Sequence, residues 1–518
     1  MRADGIRTFV RPREVLLSAS PEAAGRSRRW ALVAVFAVAA AIRLSPLLRT
    51  GSLSGALGDD DGVTYSLSAH LVRGLLPYRD AAFDQAPGTA VLLLPFTTLA
   101  VWAGDPAGIA AARIAVVLLG ALSAVLVALF LRRYAPAYAV VGGLTYAVWR
   151  LPAAAERTVH PEAFAACGLL VMLLLLDTGS EPRPRRAAAS GAALGVSAAV
   201  TLWVWPAAVV TAVYVAATRT ARTTAVWTGG ALVAFAAVAG PWIVAAPSAF
   251  LRQAVHDQLF PGAMTTPTEQ FRRLADLARL GSYGLPATIE VMIATSVVVA
   301  VTAASFSAWW QPEARLAALL TPVLCFVVAA APEYRFGQFA IAPTLIIVVA
   351  TSAHRLVPRP WGHRRVGSVV AGVIACTLVG LALTAVHDVV PRSSDLDRLR
   401  AFAAGPRPRC VWFETASEAV AADALTAPLA RGCPVPVDRL ADFRAQNPTP
   451  RLRDALHEAR HSGPFQLRLA AELRAADAAV IATDDDTGIL GDGTQEAIPR
   501  SFRRVREYET VSFWIRTH

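Results

Sequence analysis

The sequence predicts a polytopic α-helical membrane protein with about eleven transmembrane helices and a small C-terminal α/β domain. Of its 518 residues, 55% are hydrophobic and only 17% charged, which is too apolar for a soluble protein of this length. Apolar segments of membrane-spanning length recur up to about residue 390. From Pro391 to His518 the composition becomes that of a soluble domain. The chain therefore divides into an Arg-rich N-terminus (1–29), a multispan domain (30–390) and a C-terminal domain (391–518).

The predicted spans follow from the apolar segments. They lie near residues 30 to 48, 109 to 131, 137 to 151, 162 to 177, 187 to 204, 206 to 218, 224 to 246, 284 to 306, 316 to 331, 337 to 353 and 366 to 388. Several are shorter than the roughly 20 residues that a bilayer needs, so flanking residues are expected to extend them. The pair on either side of Pro206 can also be one kinked span, which would change the count.

Arginine placement predicts the orientation. The net charge of +11 comes entirely from Arg, because the chain contains no Lys. With a cytoplasmic N-terminus, one side of the membrane collects Arg2, Arg7, Arg11, Arg13, Arg26, Arg28, Arg29, Arg132, Arg133, Arg183, Arg185, Arg186, Arg219, Arg222, Arg355, Arg359, Arg364 and Arg365. The positive-inside rule makes this side cytoplasmic. No basic helix with interleaved aromatic residues indicates a nucleic-acid partner.

The same rule settles two ambiguous segments. Counting the apolar stretch Ala86–Gly104 as a span would place Arg132 and Arg133 outside, so a helix at the outer interface is expected there. The first apolar segment can also be a cleaved signal peptide, although its charged leader is longer than usual. Either way, the acidic loop 49–108 and the C-terminal domain are expected to be extracytoplasmic, in a multi-pass protein of the cell membrane.

Four exterior loops and the C-terminal domain converge above one membrane face in this topology. Besides the acidic loop, the exterior receives "PAAAERTVHPE", which ends at Glu162, the segment from Pro247 to Tyr283 and the turn from Pro332 to Gly337. A functional site is expected where these loops meet.

The C-terminal domain alternates predicted strands and helices. "CVWFE", "CPVPVD" and "DAAVIATD" are predicted strands, "TASEAVAADALTAPLA" and "LRLAAELRAA" are predicted helices, and the domain ends in "YETVSFWIR". Cys410 and Cys433 each begin a predicted strand in an oxidising compartment, which favours a disulfide. The alternative is that both are small unpaired side chains. Cys167, Cys325 and Cys376 fall within predicted spans and are interpreted as packing residues.

The acidic loop carries an unusual cluster in "GDDDGVTYSLSAHLVRGLLPYRDAAFDQAPG", which starts at Gly58. The adjacent carboxylates of Asp59, Asp60 and Asp61 repel one another unless cations or a metal neutralise them. Such a cluster can provide a general base, hold a divalent metal or form a solvated surface.

The pattern around the cluster resembles the first exterior loop of the GT-C fold glycosyltransferases, which use polyprenyl-phosphate sugars. The similar branch includes the protein mannosyltransferases and the aminoarabinose transferase of lipid A. The family pattern is an acidic pair before Gly, a helix ending in Gly-x-x-Pro-Tyr-Arg-Asp, and an acidic residue before Pro-Gly. The matching positions here are Asp60, Asp61, Gly62, Gly74, Pro77, Tyr78, Arg79, Asp80, Asp84, Pro87 and Gly88. The multispan layout is similar to about residue 390, but only this loop is specific.

The resemblance implies a polyprenyl-phosphate sugar donor in the lipid membrane and a glycan, lipid or protein acceptor. In the family, the carboxylate after the first span is the base or positions the acceptor. Asp60 is therefore the first candidate, with Asp61 beside it and Asp59 third. A neutral hydroxyl attacks an anomeric carbon poorly until a carboxylate takes its proton. The lipid phosphate is a good leaving group, so cations near its oxygens can replace a general acid.

The resemblance also implies a second acidic residue and a set of substrate contacts. Glu162 stands at the corresponding position, next to His160; it can equally be a helix N-terminal residue that complements the helix dipole. The candidate substrate-binding residues are Tyr78, Arg79, Asp80, Asp84, His160, Arg272, Arg273, Tyr334 and Arg335. Arg272 and Arg273 can instead face solvent on an amphipathic helix, and Arg79 can pair with Asp80 or Asp84.

One position departs from the family pattern. Many relatives carry a basic residue before the Pro of the fifth span, where this chain has "TLWVWPAA" with Thr201, Trp203 and Trp205. A donor-phosphate contact from that position is therefore missing or moved. The two Trp side chains can stack on lipid or sugar, or anchor the interface.

Two other function classes stay open. A lipid or glycan transporter would place ionisable residues at mid-membrane depth and show paired repeats, whereas these spans are nearly free of acids. A non-catalytic cell-envelope assembly protein would use the C-terminal domain and need the spans only as an anchor. The sequence does not identify the sugar, the acceptor or a metal requirement.

Overall fold

The structure is a computed structural model. It describes residues 21–55, 59–176, 181–259, 287–330, 343–356, 376–383, 396–403, 410–447, 452–482, 488–507 and 511–517.

Helices dominate the described part of the first 390 residues. In chain order they are α1 (Pro21–Thr50), α2 (Asp59–Val72), α3 (Gly88–Leu92), α4 (Leu94–Ala103), α5 (Asp105–Tyr134), α6 (Ala139–Val148), α7 (Arg150–Ala155), α8 (Pro161–Leu176), α9 (Pro184–Val200), α10 (Trp205–Thr218), α11 (Ala221–Ala245), α12 (Pro247–Phe250), α13 (Ala287–Trp309), α14 (Arg315–Ala330) and α15 (Thr344–Leu356). A π-helical turn, Leu251–His256, follows α12. Residues 376–383 are also helical.

Four of the described helices are long and apolar enough to cross a membrane, over Arg29–Thr50, Asp105–Tyr134, Ala221–Ala245 and Val291–Trp309. Shorter apolar helices accompany them, among them α8 and α10. The total of eleven spans stays a prediction. The pair around Pro206 is two helices and not one kinked span. α9 ends at Val200, Thr201 is extended, and α10 begins at Trp205 after a short 3-10 turn.

The predicted exterior loop between the third and fourth spans is more ordered and more buried than expected. It contains helix α7, and the Glu156 that follows α7 is fully buried. Arg43, near the end of α1, donates from Nε to Oε2 of Glu156 at 2.7 Å. No role was predicted for Glu156 within this loop. Its burial is possible because a buried arginine on a neighbouring helix compensates its charge.

The loop 49–108, predicted to be the first exterior loop, is also largely helical in its described part. Helix α2 begins within the acidic cluster, at Asp59. The predicted interfacial helix 86–104 is two helices, α3 and α4, which meet at Leu93. At the end of α4, Trp102 leaves 86% of its surface exposed.

The C-terminal part forms an α/β sheet domain. Its strands are β1 (Val411–Phe413), β2 (Ala478–Ala482), β3 (Phe502–Glu507) and β4 (Val511–Arg516), in the order β1-β2-β4-β3. β1 and β2 are parallel, and the other two pairs are antiparallel. The helices are α16 (Leu396–Ala403), α17 (Ala416–Ala421), α18 (Thr426–Ala430), α19 (Arg439–Gln446), α20 (Leu452–His461), α21 (Gly463–Ala475) and α22 (Asp492–Ser501).

One strand prediction in this domain was wrong, and one strand was not predicted. "CPVPVD" is irregular, because Pro434 and Pro436 have no N–H to donate to a neighbouring strand. β3 was not predicted, because its sequence has no apolar alternation: every residue after Phe502 is exposed. It is an edge strand whose charged side chains face outward. Cys410 and Cys433 are joined by a disulfide.

The C-terminal domain packs against the first exterior loop and the start of α5. The Asp105 carboxylate accepts hydrogen bonds from the backbone N–H groups of Leu425 and Thr426, at 2.9 and 3.0 Å, and from the Thr426 hydroxyl. Asp423 in turn accepts from the backbone N–H of Asp105 at 2.7 Å. Arg132 and Arg133 lie near the opposite end of α5, about 40 Å away at 1.5 Å per residue. The contacts with the C-terminal domain and this arginine pair therefore lie at opposite ends of α5.

Candidate active site

A cavity of about 30 Å³ lies where the first exterior loop, the start of α8 and the break between α9 and α10 meet. Its lining residues include members of three of the four loops that were predicted to converge. Its lining residues are Gln85, Ala86, His160, Pro161, Glu162, Val200, Thr201, Leu202, Trp203 and Gln258.

Glu162 is the carboxylate of this cavity. It lies in the first turn of α8, directly after Pro161, and is 4% exposed. Within the described part of the chain, its Oε2 atom is buried and has no hydrogen-bond partner. The nearest basic group is His160, whose Nδ1 lies 3.7 Å from that oxygen. Buried carboxylate oxygens are normally hydrogen-bonded, so this one is suited to accept a proton or hydrogen bond from a bound molecule.

Asp61 holds the turn that precedes Glu162. Its Oδ1 accepts from the backbone N–H of Val159 at 2.7 Å, and its Oδ2 accepts from Nη2 of Arg113 at 2.7 Å. Both side chains of this ion pair are almost fully buried. Both carboxylate oxygens of Asp61 are therefore engaged, and Asp61 positions the turn. From the sequence, Asp61 was predicted as a candidate base beside Asp60.

A second buried ion pair supports the other end of the same turn. Glu156 accepts from Arg43 and, at 2.8 Å, from the Tyr146 hydroxyl, while Arg157 donates to the carbonyl of Ile42 at 3.2 Å. Sequence reasoning missed this network. The available signal was Arg43 itself, because an arginine inside an apolar span needs a partner.

One glycine and one tyrosine of the loop motif, Gly88 and Tyr78, shape the part of the cavity that Gln85 and Ala86 line. A Cβ on Gly88 would lie 2.4 Å from the carbonyl oxygen of Ala199, so only glycine lets α3 approach the end of α9 this closely. The Tyr78 hydroxyl donates to the carbonyl of Gln85 at 2.6 Å. Tyr78 is buried, and burial holds the pKa of its hydroxyl well above the usual value. These contacts bring Gln85 and Ala86 to the cavity.

The other predicted site residues lie apart from the cavity or outside the described residues. Arg79 pairs with Asp80 through two hydrogen bonds, of 2.9 and 2.8 Å, and the Arg79 side chain is 55% exposed. The hydrogen bond from Arg79 lowers the pKa of the Asp80 carboxyl. Asp84 pairs with Arg444 of the C-terminal domain. The side chains of Asp59 and Asp60, and the whole of Arg272, Arg273, Tyr334 and Arg335, lie outside the described residues.

Eight of the ten lining residues were not among the predicted site residues. Gln85 and Gln258 come from two of the loops that were predicted to converge, but no local pattern indicated which of their residues would line a cavity. Thr201 and Trp203 stand where relatives carry a basic residue, and they face the cavity with Glu162. Among the described residues, no group of three or more His, Cys, Asp or Glu side chains is arranged to hold a metal ion.

Several solved structures share this architecture. ArnT from Cupriavidus metallidurans in the apo state superposes with a TM-score of 0.60 at 16% identity, over 95% of this chain and 98% of that chain. The same enzyme bound to undecaprenyl phosphate gives 0.58 at 14% identity, over 95% and 98%. The arabinofuranosyltransferase AftD from Mycobacteria gives 0.53 at 18% identity, over 95% of this chain and 40% of that chain. No protein-family model and no curated sequence matches the chain. At identities this low, the superpositions establish a shared fold and nothing further.

Proposed function

Because this chain is a helical membrane protein with the GT-C fold, we propose that it is a membrane glycosyltransferase. It moves a sugar from a polyprenyl-phosphate donor to an extracytoplasmic glycan, lipid or protein acceptor. The first exterior loop and the start of α8 provide the site, and the undecaprenyl phosphate bound by the similar ArnT structure supports this class of donor.

The observation that carries the proposal is the buried carboxylate of Glu162. Its Oε2 atom faces a cavity with no hydrogen-bond partner from the described protein, and two buried ion pairs fix the turn that presents it. A purely structural glutamate at a helix start would be expected to turn to solvent or cap backbone N–H groups. A carboxylate held rigidly against a cavity suits a group that meets a substrate.

The reaction needs one proton acceptor. The acceptor hydroxyl attacks the anomeric carbon, a new carbon–oxygen bond forms there, and the bond from that carbon to the phosphate oxygen breaks. The hydroxyl proton passes to a carboxylate, and the polyprenyl phosphate leaves with the bonding pair. Glu162 is the carboxylate that the cavity provides, and Asp60 is the one that the resemblance implies. The Nδ1 atom of His160 lies 3.7 Å from Oε2 of Glu162, so His160 is the neighbouring side chain that can orient this carboxylate.

The developing charge on the phosphate needs cations. Arg272, Arg273 and Arg335 are our proposed contacts, and Arg groups suit phosphate because they donate two parallel hydrogen bonds. Arg79 is a weaker choice, since Asp80 already occupies its guanidinium group. The Trp203 ring in the cavity can stack on a sugar face.

The proposed orientation has a cytoplasmic N-terminus and an extracytoplasmic C-terminal domain. The positive charges of Arg132 and Arg133 support it, because they lie at the end of α5 that is remote from the C-terminal domain. The disulfide in that domain supports an oxidising compartment.

A structure of the purified protein with bound polyprenyl phosphate tests the proposal. We expect the phosphate density next to the cavity, within reach of the His160 and Glu162 turn, with the lipid chain running along the apolar helices. Phosphate bound at a remote surface, or no binding of polyprenyl phosphate, would contradict it.

A further inference from the structure

The C-terminal domain inserts one buried arginine between two exterior loops of the helical domain. Arg444 lies in α19 and is only 7% exposed. Its Nη1 lies 3.3 Å from Oδ2 of Asp84, and its Nη2 donates to the backbone carbonyl of Asp257 at 3.1 Å. One guanidinium group thus reaches the first exterior loop and the segment after α12 at the same time.

Each residue that Arg444 contacts directly precedes a residue that lines the cavity. Asp84 precedes Gln85 and Ala86, and Asp257 precedes Gln258. We name Gln85, Ala86 and Gln258 the glutamine wall, since they line the same cavity as Glu162. The two loops also bond to each other directly: Gln258 donates to the carbonyl of Asp84 at 2.6 Å. Arg444 therefore closes a ring of contacts directly behind the wall.

An arginine side chain is suited to hold two loops at a fixed distance from each other. The planar fork of an arginine can serve two acceptors on different loops at fixed relative positions, whereas a lysine ammonium is a point charge on a flexible stem. Because Arg444 is buried, its attraction to Asp84 is less screened by solvent and salt than a surface pair would be. Loss of the guanidinium would remove the contact that ties both loops to the C-terminal domain and leave them held by their direct hydrogen bonds to each other.

Arg444 is not needed to dock the domain as a whole. The Asp105 contacts with Leu425 and Thr426 are separate from it. So are the hydrogen bonds from Ser66 to the carbonyl of Pro436, at 2.7 Å, and from Arg400 to Ser54. A variant at position 444 therefore changes the loops while these other contacts keep the domain in place.

We propose that Arg444 is a positioning residue, through which the C-terminal domain sets the geometry of the glutamine wall. It acts through Asp84 and Asp257 and does not touch the substrate. The effect on catalysis rests on the proposed transferase function, whereas the effect on the loops does not.

The first test measures loop position without any transfer reaction. In a Cys376→Ser background, which removes the exposed free cysteine, Ala86→Cys reports on the wall. Arg444→Met keeps the apolar stem and removes the guanidinium group. We expect it to raise the rate of maleimide labelling at position 86 about 10-fold or more, because the loops open more often. Arg444→Lys should give a smaller increase.

Two controls make this result specific. Arg468→Met breaks an ion pair with Asp442 whose side chains are 34% and 40% exposed, and it should leave labelling at position 86 unchanged. Ser417→Cys places a second probe at the docked surface, where Ser417 lies against Gly62. Unchanged labelling at position 86 in Arg444→Met overturns the proposal. Faster labelling at position 417 as well overturns it too, because the whole domain would then have come loose.

The second test uses transfer from a labelled polyprenyl-phosphate sugar. Arg444→Met should lower kcat/KM roughly 10- to 100-fold, since small displacements of positioning groups have effects of this size. Arg444→Lys should recover part of the loss. Arg444→Met combined with Asp84→Asn should be no slower than Arg444→Met alone, because both act through one contact. Effects that multiply would contradict a shared contact. A wild-type protein without transfer activity would refute the proposed function and leave the labelling result valid.

Discussion

The carboxylate of Asp61 accepts a hydrogen bond of 2.7 Å from the backbone N–H of Val159, a residue 98 positions later in the chain. This contact ties the acidic cluster at the start of α2 to the turn that presents His160 and Glu162. Asp61 therefore has a structural role, because Arg113 donates to its other carboxylate oxygen, Oδ2. The acidic loop and the turn that carries the second candidate carboxylate are thus in direct contact.

Breaking this contact should destabilise the protein. Asp61→Asn removes the charge that compensates buried Arg113, and loss of one partner of a buried ion pair costs about 3–5 kcal/mol. We expect a clear fall in the thermal unfolding midpoint of the detergent-purified protein. Glu507→Gln is the matched control, since Glu507 and Arg504 form an ion pair with both side chains about half exposed. Exposed pairs contribute about 0–1 kcal/mol. Equal midpoints for Asp61→Asn and the wild type would contradict the assigned role.

Stability should fall in mildly acidic solution because of His70. This side chain is buried beside the C-terminal domain, its Nδ1 lies 2.8 Å from the carbonyl of Ser66, and burial lowers the pKa of its ring below 6.5. The unfolded chain therefore binds this proton more readily. The contribution of His70 to the free energy of unfolding is therefore fully present above about pH 6.5. It declines as the pH falls from there towards the pKa of His70 in the folded protein.

His70→Gln should flatten this dependence of the unfolding midpoint between about pH 5 and 7. The cleft next to His70 also contains Asp80, Asp438, Arg439, Asp442 and Glu472. Burial raises the pKa of the Asp442 carboxyl, so its contribution has the opposite sign and declines as pH rises from about 3.8. An identical pH slope in wild type and His70→Gln would refute the assignment to His70.

The disulfide predicts a specific labelling pattern. When the unreduced protein is denatured and treated with a thiol reagent, Cys167, Cys325 and Cys376 should react, while Cys410 and Cys433 should react only after reduction. The closed loop should stabilise the domain by about 3 kcal/mol. Labelling of Cys410 without reductant would show that the bond is absent from the isolated protein.

Reporter fusions test the orientation. A reporter that requires the cytoplasm should be active after Arg133, and one that requires export should be active after Pro391. Arg132 and Arg133 end the helix whose first residue, Asp105, contacts the C-terminal domain, so the two fusions should always report opposite sides. The same side for both would contradict the packing of that domain.

Asp60 should affect the reaction if the resemblance extends to its role. Asp60→Asn keeps the size of the side chain and loses its proton affinity, so transfer should fall by roughly 10²-fold or more while donor binding is kept. If the cluster holds a divalent cation, added metal should partly restore the activity of Asp60→Asn. If Asp60 only faces solvent, the transfer rate of Asp60→Asn should equal that of the wild type, and the assignment of Asp60 as the base would be refuted.

The helical fold class and the acidic loop that borders the cavity could be predicted from the sequence, because both depend on composition and local pattern. Apolar spans and the acidic motif are readable without tertiary contacts. The strand "CPVPVD" was wrong because two prolines outweigh an apolar, β-prone stretch, and β3 was missed because an arginine-rich edge strand has no apolar alternation.

The arrangement of the site was less predictable, since it depends on contacts between distant residues. The pairing of Arg43 with Glu156, and of Arg444 with Asp84, joins segments separated by 113 and 360 residues. No local pattern specifies such pairs. The structural role of Asp61 likewise follows from where Arg113 lies on α5.

The most direct test of the central claim is single-turnover transfer from a labelled polyprenyl-phosphate sugar by Glu162→Gln, with protein abundance and polyprenyl-phosphate binding measured in parallel. Gln keeps the size of the side chain and cannot take the acceptor proton. The proposed site predicts a fall in the transfer rate of roughly 10²-fold or more with lipid binding largely retained. Transfer at the wild-type rate by Glu162→Gln would contradict the assignment of this cavity as the active site.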